Sequence, residues 1–278
     1  VSILLLKGDI VVNALWLDNA SVMLLLPCAL ILAWWGKSRW NPGAVVLSVT
    51  ILIKPVFLPL LAIPPIFRRW KALMVAIAVA AVGMLLSLVV SGNLREMFTV
   101  AKKLEGGSDL IRKGSVYNLS ILGVQHDHQM NAALPSLLRL AVVAVAVLVV
   151  VQCVRRAIDV SLVSVGALSG LLLGTVFLAG PLSEIHYLFL LIPGAMIMAS
   201  GNSRIARYLL LGSLVVAGYS AYYFGGVAGS TQAMQLRCVV IEFLVFAASV
   251  LVLLASPSTP PDSPDVRSVE RTSELSTV

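Results

Sequence analysis

Three polar groups interrupt apolar sequence in ways that suit chemistry. The first is Lys54, in VTILIKPVFLPLL. An ionisable group in the middle of a bilayer costs about 2.5–3.5 kcal/mol on insertion scales, so such residues face cavities, partners or ligands. Pro55 follows it and has no N–H, which leaves the carbonyl of Ile51 without its helical donor. A cation at the broken end of a half-helix suits an anionic headgroup such as a phosphate; snorkelling, or pairing with a distant acid, is the plainer alternative. The second group is in GPLSEIHYLFLLIP, residues 180–193. His186 can donate to a phosphate or move a proton near neutral pH, and Glu184 can orient it or act as a base. Their i, i+2 spacing does not put them on one helix face, and an ordinary polar loop end is the competing reading.

The third group is SVYNLSIL, residues 115–122, where Tyr117 offers a ring to a sugar face and Asn118 hydrogen bonds to its hydroxyls. Asn118-Leu119-Ser120 also matches a glycosylation acceptor, a short pattern that arises often by chance. Asn19, beside Asp18, joins Tyr117 and Asn118 as a substrate-binding candidate. His126-Asp127-His128 has two imidazoles but no third ligand at a recognisable spacing, so no metal is expected there. Glu242, in the last apolar run, reads as an interhelical partner rather than a catalyst. No G-x-S-x-G, Walker loop or H-E-x-x-H occurs in the chain.

The elements that must hold these groups are set by composition. The chain has 278 residues, 59% apolar and 12% charged, with a mean hydropathy of +0.98. Soluble domains carry about 45–50% apolar and about 25% charged residues. A cytosolic enzyme, a disulfide scaffold and a nucleic-acid-binding domain are excluded. The apolar residues gather into eight runs at about 20–35, 43–66, 72–91, 137–154, 160–179, 183–199, 205–225 and 238–255, the lengths expected of bilayer helices. The fold expected is all-α, a polytopic membrane bundle of about seven spans plus one broken or re-entrant segment. Cys28, Cys153 and Cys238 sit in or beside apolar runs without pairing spacing, and read as packing residues.

The net charge of +7 is clustered between the runs. Lys37, Arg39, Arg68, Arg69, Lys71, Arg155, Arg156, Arg204 and Arg207 make nine, against Arg237 alone in 180–186 and 226–237. The nine are expected to face the cytoplasm. Both ends of 43–66 are basic, so a single crossing there would put one cluster on the wrong side. Lys54-Pro55 at its centre, with Pro59, Pro64 and Pro65, favours two half-helices that enter and return; a tilted, kinked span is the alternative. Asp18-Asn19, the long connection 92–135, the turn 180–186 and the loop 226–237 then lie outside the cytoplasm. Within 92–135, Leu94, Met97, Phe98, Ala101 and Leu104 share a helical face, as in a helix lying on the lipid surface.

Three regions follow: a remnant or outer loop at 1–19, the membrane domain at 20–255 and a Ser/Thr/Pro-rich, disordered cytoplasmic tail at 256–278. The opening VSILLLKGDIVVNALW has neither a basic n-region nor a cleavage site. It reads as the interior of a larger membrane protein.

The segments NASVMLLLPCALILAWW, LSVTILIKPVFLPLLAIPPIFRRWKAL, SVYNLSILG and GPLSEIHYLFLLIPG, in this order, resemble the membrane glycosyltransferases of family 87, which are GT-C enzymes. The Lys-Pro segment ending in Arg68, Arg69, Trp70 and Lys71 is the most specific piece, and the likeness extends over about 13–255. The KP-x-x-x-P-L-L run and YNLSILG look most like actinobacterial α-(1→3)-arabinofuranosyltransferases, with polyprenol-phosphate mannosyltransferases as the nearest competitor. The resemblance implies a polyprenyl-phosphate arabinose or mannose donor, a cell-wall glycan or glycolipid acceptor, no further cofactor, and transfer on the extracytoplasmic face of the plasma membrane. On this likeness Lys54 and His186 meet the donor phosphate, with Glu184 beside them. Such enzymes carry an acidic catalytic base in the first outer loop. Neither Asp9 nor Asp18 matches it, so that loop is expected upstream of Val1, and activity is expected once it is supplied. An inactive membrane subunit or fragment is the remaining alternative.

Overall fold

The computed structural model describes residues 23–91, 120–127, 131, 133–180, 187–220 and 229–258. All regular structure among them is helical, apart from one isolated bridge between Ile158 and Ser258. The helices are α1 (Leu25–Gly36), α2 (Trp40–Ile53), a 3-10 segment (Pro55–Ala62) running into α3 (Ile63–Ile66), α4 (Trp70–Ser91), α5 (Ile121–Asp127), α6 (Ala133–Arg155), α7 (Leu162–Ala179), α8 (Leu188–Ser200), α9 (Arg204–Ser220) and α10 (Gly229–Ala255). Four stretches are long and apolar enough to cross a membrane: Trp70–Ser87, Ala133–Arg155, Leu162–Ala179 and Leu236–Ala255. By contrast α1 and α8, with 12 and 13 residues, reach only about 18–20 Å as described, against a hydrocarbon core of about 30 Å.

Helix α7 is the hub. Residues 164–171 are buried without a break, and α7 packs on α1, the 3-10 segment, α6, α8 and α10. Gly166, Gly170 and Gly174 make this possible. A Cβ on Gly170 would collide with the Ser249 hydroxyl, and one on Gly166 would lie 2.7 Å from Ile197. Such small-residue stripes let helices approach where lipid removes the hydrophobic drive between them. The outer helices show the opposite pattern. Among the described side chains of α4 only one narrow stripe, including Ala72 and Ala76, is buried, while Met74, Ile77, Leu85, Leu86 and Val89 are exposed. An apolar surface of that extent belongs in lipid, and the chain is an integral membrane bundle.

The segment 43–66 doubles back on itself, the form that the re-entrant reading expects. Trp40, at the start of α2, and Phe67, just after α3, bring their rings to 5.5 Å. The Arg69 guanidinium lies 5.9 Å from the Trp40 ring. The lengths agree: α2 has 14 residues and rises about 21 Å, while the 8 residues of the 3-10 segment and the 4 of α3 descend about 22 Å. The prolines explain the form of the return limb. Pro55 and Pro59 lack the N–H donors of an α-ladder, whereas Pro64 and Pro65 sit in the first turn of α3, where the N–H has no helical acceptor anyway.

The return makes α2 and α4 parallel neighbours. The Ser48 hydroxyl donates within reach of the carbonyls of Ala44 at 2.8 Å and Ala76 at 2.7 Å, and farther along Gly83 meets Leu52. All nine basic residues counted above gather at one end of the bundle. Gly36 abuts Leu162, and Gly201 abuts Val163. Arg156 donates to the carbonyls of Leu254 (2.7 Å) and Ser256 (2.9 Å), and the Asp159 N–H donates to Pro257. The start of the expected tail is therefore tied down at that end, and 259–278 lies outside the described residues.

Candidate functional site

Lys54 stands at the tip of the re-entrant pair, at the end of the bundle remote from the basic clusters. Pro55 forces the residue before it out of the helical region, and Lys54 is extended at φ −144° and ψ 102°. Its own N–H still closes the last α2 turn on Thr50 (2.8 Å), while its carbonyl accepts from Phe57 (3.3 Å). The backbone is thereby fixed on both sides of the break. Phe57, Leu60 and Ile63 on the return limb are fully buried, and the 3-10 segment packs on α7. The side chain leaves from a rigid base.

The half-buried Lys54 reaches Tyr187, its Nζ 4.4 Å from the ring centroid. Tyr187 immediately precedes α8, and its ring stacks on Phe177 of α7 at 5.5 Å with an interplanar angle of 25°. A cation over an aromatic face is worth about 0.5–1 kcal/mol when exposed and about 2 when desolvated. The contact orients the ammonium. Nearby, Arg139 of α6 donates Nε–H to the Ala179 carbonyl at 2.9 Å, occupying an acceptor at the end of α7 just before the 180–186 turn.

Of the residues expected to act, Lys54 alone is described. Asn19, Tyr117, Asn118, Glu184 and His186 lie outside the described residues, as does the surface helix expected near residue 94. Their neighbours are informative nonetheless. Tyr187, next to His186 in sequence, is the residue that meets Lys54, so the ends of two of the expected groups converge. Ser120 belongs to the third group. It is fully buried, and its hydroxyl accepts the Gly123 N–H at 3.3 Å, capping α5. Glu242 is fully buried on α10. Among the described residues no three His, Cys, Asp or Glu side chains cluster as a metal site.

Tyr187 and Arg139 were not singled out from sequence. Tyrosine at the head of an apolar helix, directly after a His, was the available signal for the first. Arg139 had only its place in the first turns of an apolar run. Comparison with known proteins adds one positive finding: the sequence profile of Glycosyltransferase family 87 matches residues 2–183, more than half of the chain. No curated protein and no solved structure matches it.

Proposed function

Because the chain belongs to glycosyltransferase family 87, we propose that it moves arabinofuranose from a polyprenyl-phosphate donor to a cell-wall glycan on the extracytoplasmic face of the plasma membrane. The observation that carries this reading is Lys54, a cation fixed at a helix break, oriented by an aromatic face and remote from the basic end of the bundle. An acceptor hydroxyl oxygen bonds to the anomeric carbon as the bond from that carbon to the phosphate oxygen breaks, inverting the centre. The hydroxyl proton goes to a base. This chain offers Glu184 for that role, and its resemblance to GT-C enzymes implies an acid of the first outer loop. The electron pair leaves with the polyprenyl phosphate. Lys54 and His186 stabilise the charge that develops on the leaving oxygen, the kind of preorganised interaction that dominates such reactions. Tyr117, Asn118 and Asn19 hold the sugar or the acceptor. The lipid tail of the donor stays in the membrane around the bundle.

The test reads binding and transfer separately. Membranes containing the chain together with such an acid-bearing outer loop are supplied with labelled polyprenyl-phosphate arabinose or the mannose analogue, and donor capture is followed by photo-crosslinking. Lys54→Ala should lower crosslinking by tenfold or more while leaving expression intact, and arabinose should be transferred in preference to mannose. Undiminished crosslinking would remove the phosphate role of Lys54. Preferential use of mannose would replace the sugar but keep the site.

A further inference from the structure

At the basic end of the bundle, two turns of the chain have the same construction. After α1, Ser38 takes φ 59°; after α3, Arg68 takes φ 58°. In the first turn Ser38 N–H donates to Trp35 and Arg39 N–H to Trp34; in the second Arg68 N–H donates to Pro65 and Arg69 N–H to Pro64. Both are Schellman caps. Each is followed by Arg-Trp, and in each the Trp is the first residue of a helix: Trp40 of α2 and Trp70 of α4. One short pattern, used twice, brings two helix N-termini side by side.

The side chains of these turns line one cleft of about 490 Å³, among them Arg39, Trp40, Arg68, Arg69, Trp70 and Lys71, with no acidic residue in its lining. Four formal positive charges therefore surround it. Because α2 and α4 run parallel, their positive dipole ends add at the same place rather than cancelling. Two residues of its lining also carry buried donors. Trp40 is 7% exposed, held between Trp35 (5.8 Å) and Phe67 (5.5 Å), and its indole N–H finds no acceptor among the described residues. The Nε–H of Arg69 likewise lacks one. Buried donors without acceptors are uncommon in folded proteins, and here two of them belong to residues lining a cationic cleft.

We propose that this cleft binds the phosphate-bearing headgroup of an anionic phospholipid from the leaflet at the basic end. Phosphate supplies the acceptors and the negative charge that four cations and two helix N-termini favour. The membrane source follows from the rim. Trp70 is 61% exposed, as an interfacial anchor is, and Val45, Val49, Met74 and Ile77 continue the apolar surfaces of α2 and α4 from the same end. A lipid with its headgroup in the cleft would lay its chains against such faces. The site is separate from Lys54 and does not depend on the proposed transfer reaction.

The full chain in neutral detergent is titrated with phosphatidylglycerol, with phosphatidylcholine of the same acyl chains and with glycerol 3-phosphate, and bound lipid is counted by native mass spectrometry. Phosphatidylglycerol should bind at least tenfold tighter than phosphatidylcholine, and millimolar glycerol 3-phosphate should not displace it. Arg68→Asn with Lys71→Gln should weaken phosphatidylglycerol about 25-fold, about fivefold per cation removed. Both residues are exposed, and Asn tolerates the left-handed backbone at 68, so this variant should keep its helix content. Arg204→Gln with Arg207→Gln, at the same end but outside the cleft, should change binding less than twofold. Equal binding of the two lipids would overturn the proposal. So would an equal loss in the Arg204/Arg207 variant, which would mean diffuse surface charge. Displacement by glycerol 3-phosphate would assign the cleft to a soluble phosphate and overturn the lipid assignment.

Discussion

If Tyr187 acts by orienting Lys54, then removing its ring should weaken binding of a polyprenyl phosphate only while the ammonium is present. The magnitude follows from the geometry. The Lys54 Nζ is 4.4 Å from the ring centroid, both side chains are half-buried, and Phe177 fixes the ring from α7. That environment lies between the exposed and desolvated limits for a cation–π pair, so the contact is worth about 1 kcal/mol, or about fivefold in affinity. Tyr187→Leu should therefore raise Kd about fivefold, and Tyr187→Phe, which keeps the ring, less than twofold. Lys54→Met removes a hydrogen bond to a charged group, worth about 1.5–3 kcal/mol, and should raise Kd by about 10- to 150-fold. In the Lys54→Met background, Tyr187→Leu should then do almost nothing. The assay is binding of decaprenyl phosphate to the chain in nanodiscs, measured for the four corners of the cycle. An equal effect of Tyr187→Leu in both backgrounds would refute the reasoning, since non-interacting sites add to within about 0.3–0.5 kcal/mol. The ring would then serve binding by some route other than the ammonium.

Two other outcomes are expected. Ser48→Ala removes the one hydroxyl that reaches from α2 to the Ala76 carbonyl of α4; it should destabilise the chain by about 0.6–2 kcal/mol in detergent unfolding, and unchanged stability would mean that packing alone holds the parallel pair. Cysteines substituted at Ser38 and Ser183 test sidedness: an impermeant thiol reagent should label Ser183→Cys in intact cells and Ser38→Cys only after permeabilisation. The reverse order would put the Lys54 end in the cytoplasm and remove the extracytoplasmic reaction.

How far the sequence could be read depended on whether the determining forces were local. Lys54-Pro55 was legible because proline acts on its own backbone and on the carbonyl four residues back, and because basic residues at both ends of 43–66 disfavour one crossing. The 5.5 Å approach of Trp40 and Phe67 is the consequence. Charge placement was legible too, since the cost of moving Lys or Arg across a bilayer does not depend on fold details; the nine residues do converge on one end. Tyr187 was not, because nothing in GPLSEIHYLF says which distant side chain its ring will meet. That is decided by α7, whose glycine stripe and Phe177 bring the head of α8 beside the tip of the re-entrant pair. The duplicated cap was missed for a related reason. Ser38-Arg39-Trp40 and Arg68-Arg69-Trp70 share only an Arg-Trp pair, too short a match to stand out as a repeat. Their equivalence lies in the left-handed residue and the hydrogen bonds that end each preceding helix, and those become visible only once the return limb makes α2 and α4 parallel. The same Lys-Pro break therefore has two effects at opposite ends of the bundle. It projects one cation from the tip, and it aligns two helix N-termini at the base, where a straight crossing would have separated them by the thickness of the membrane.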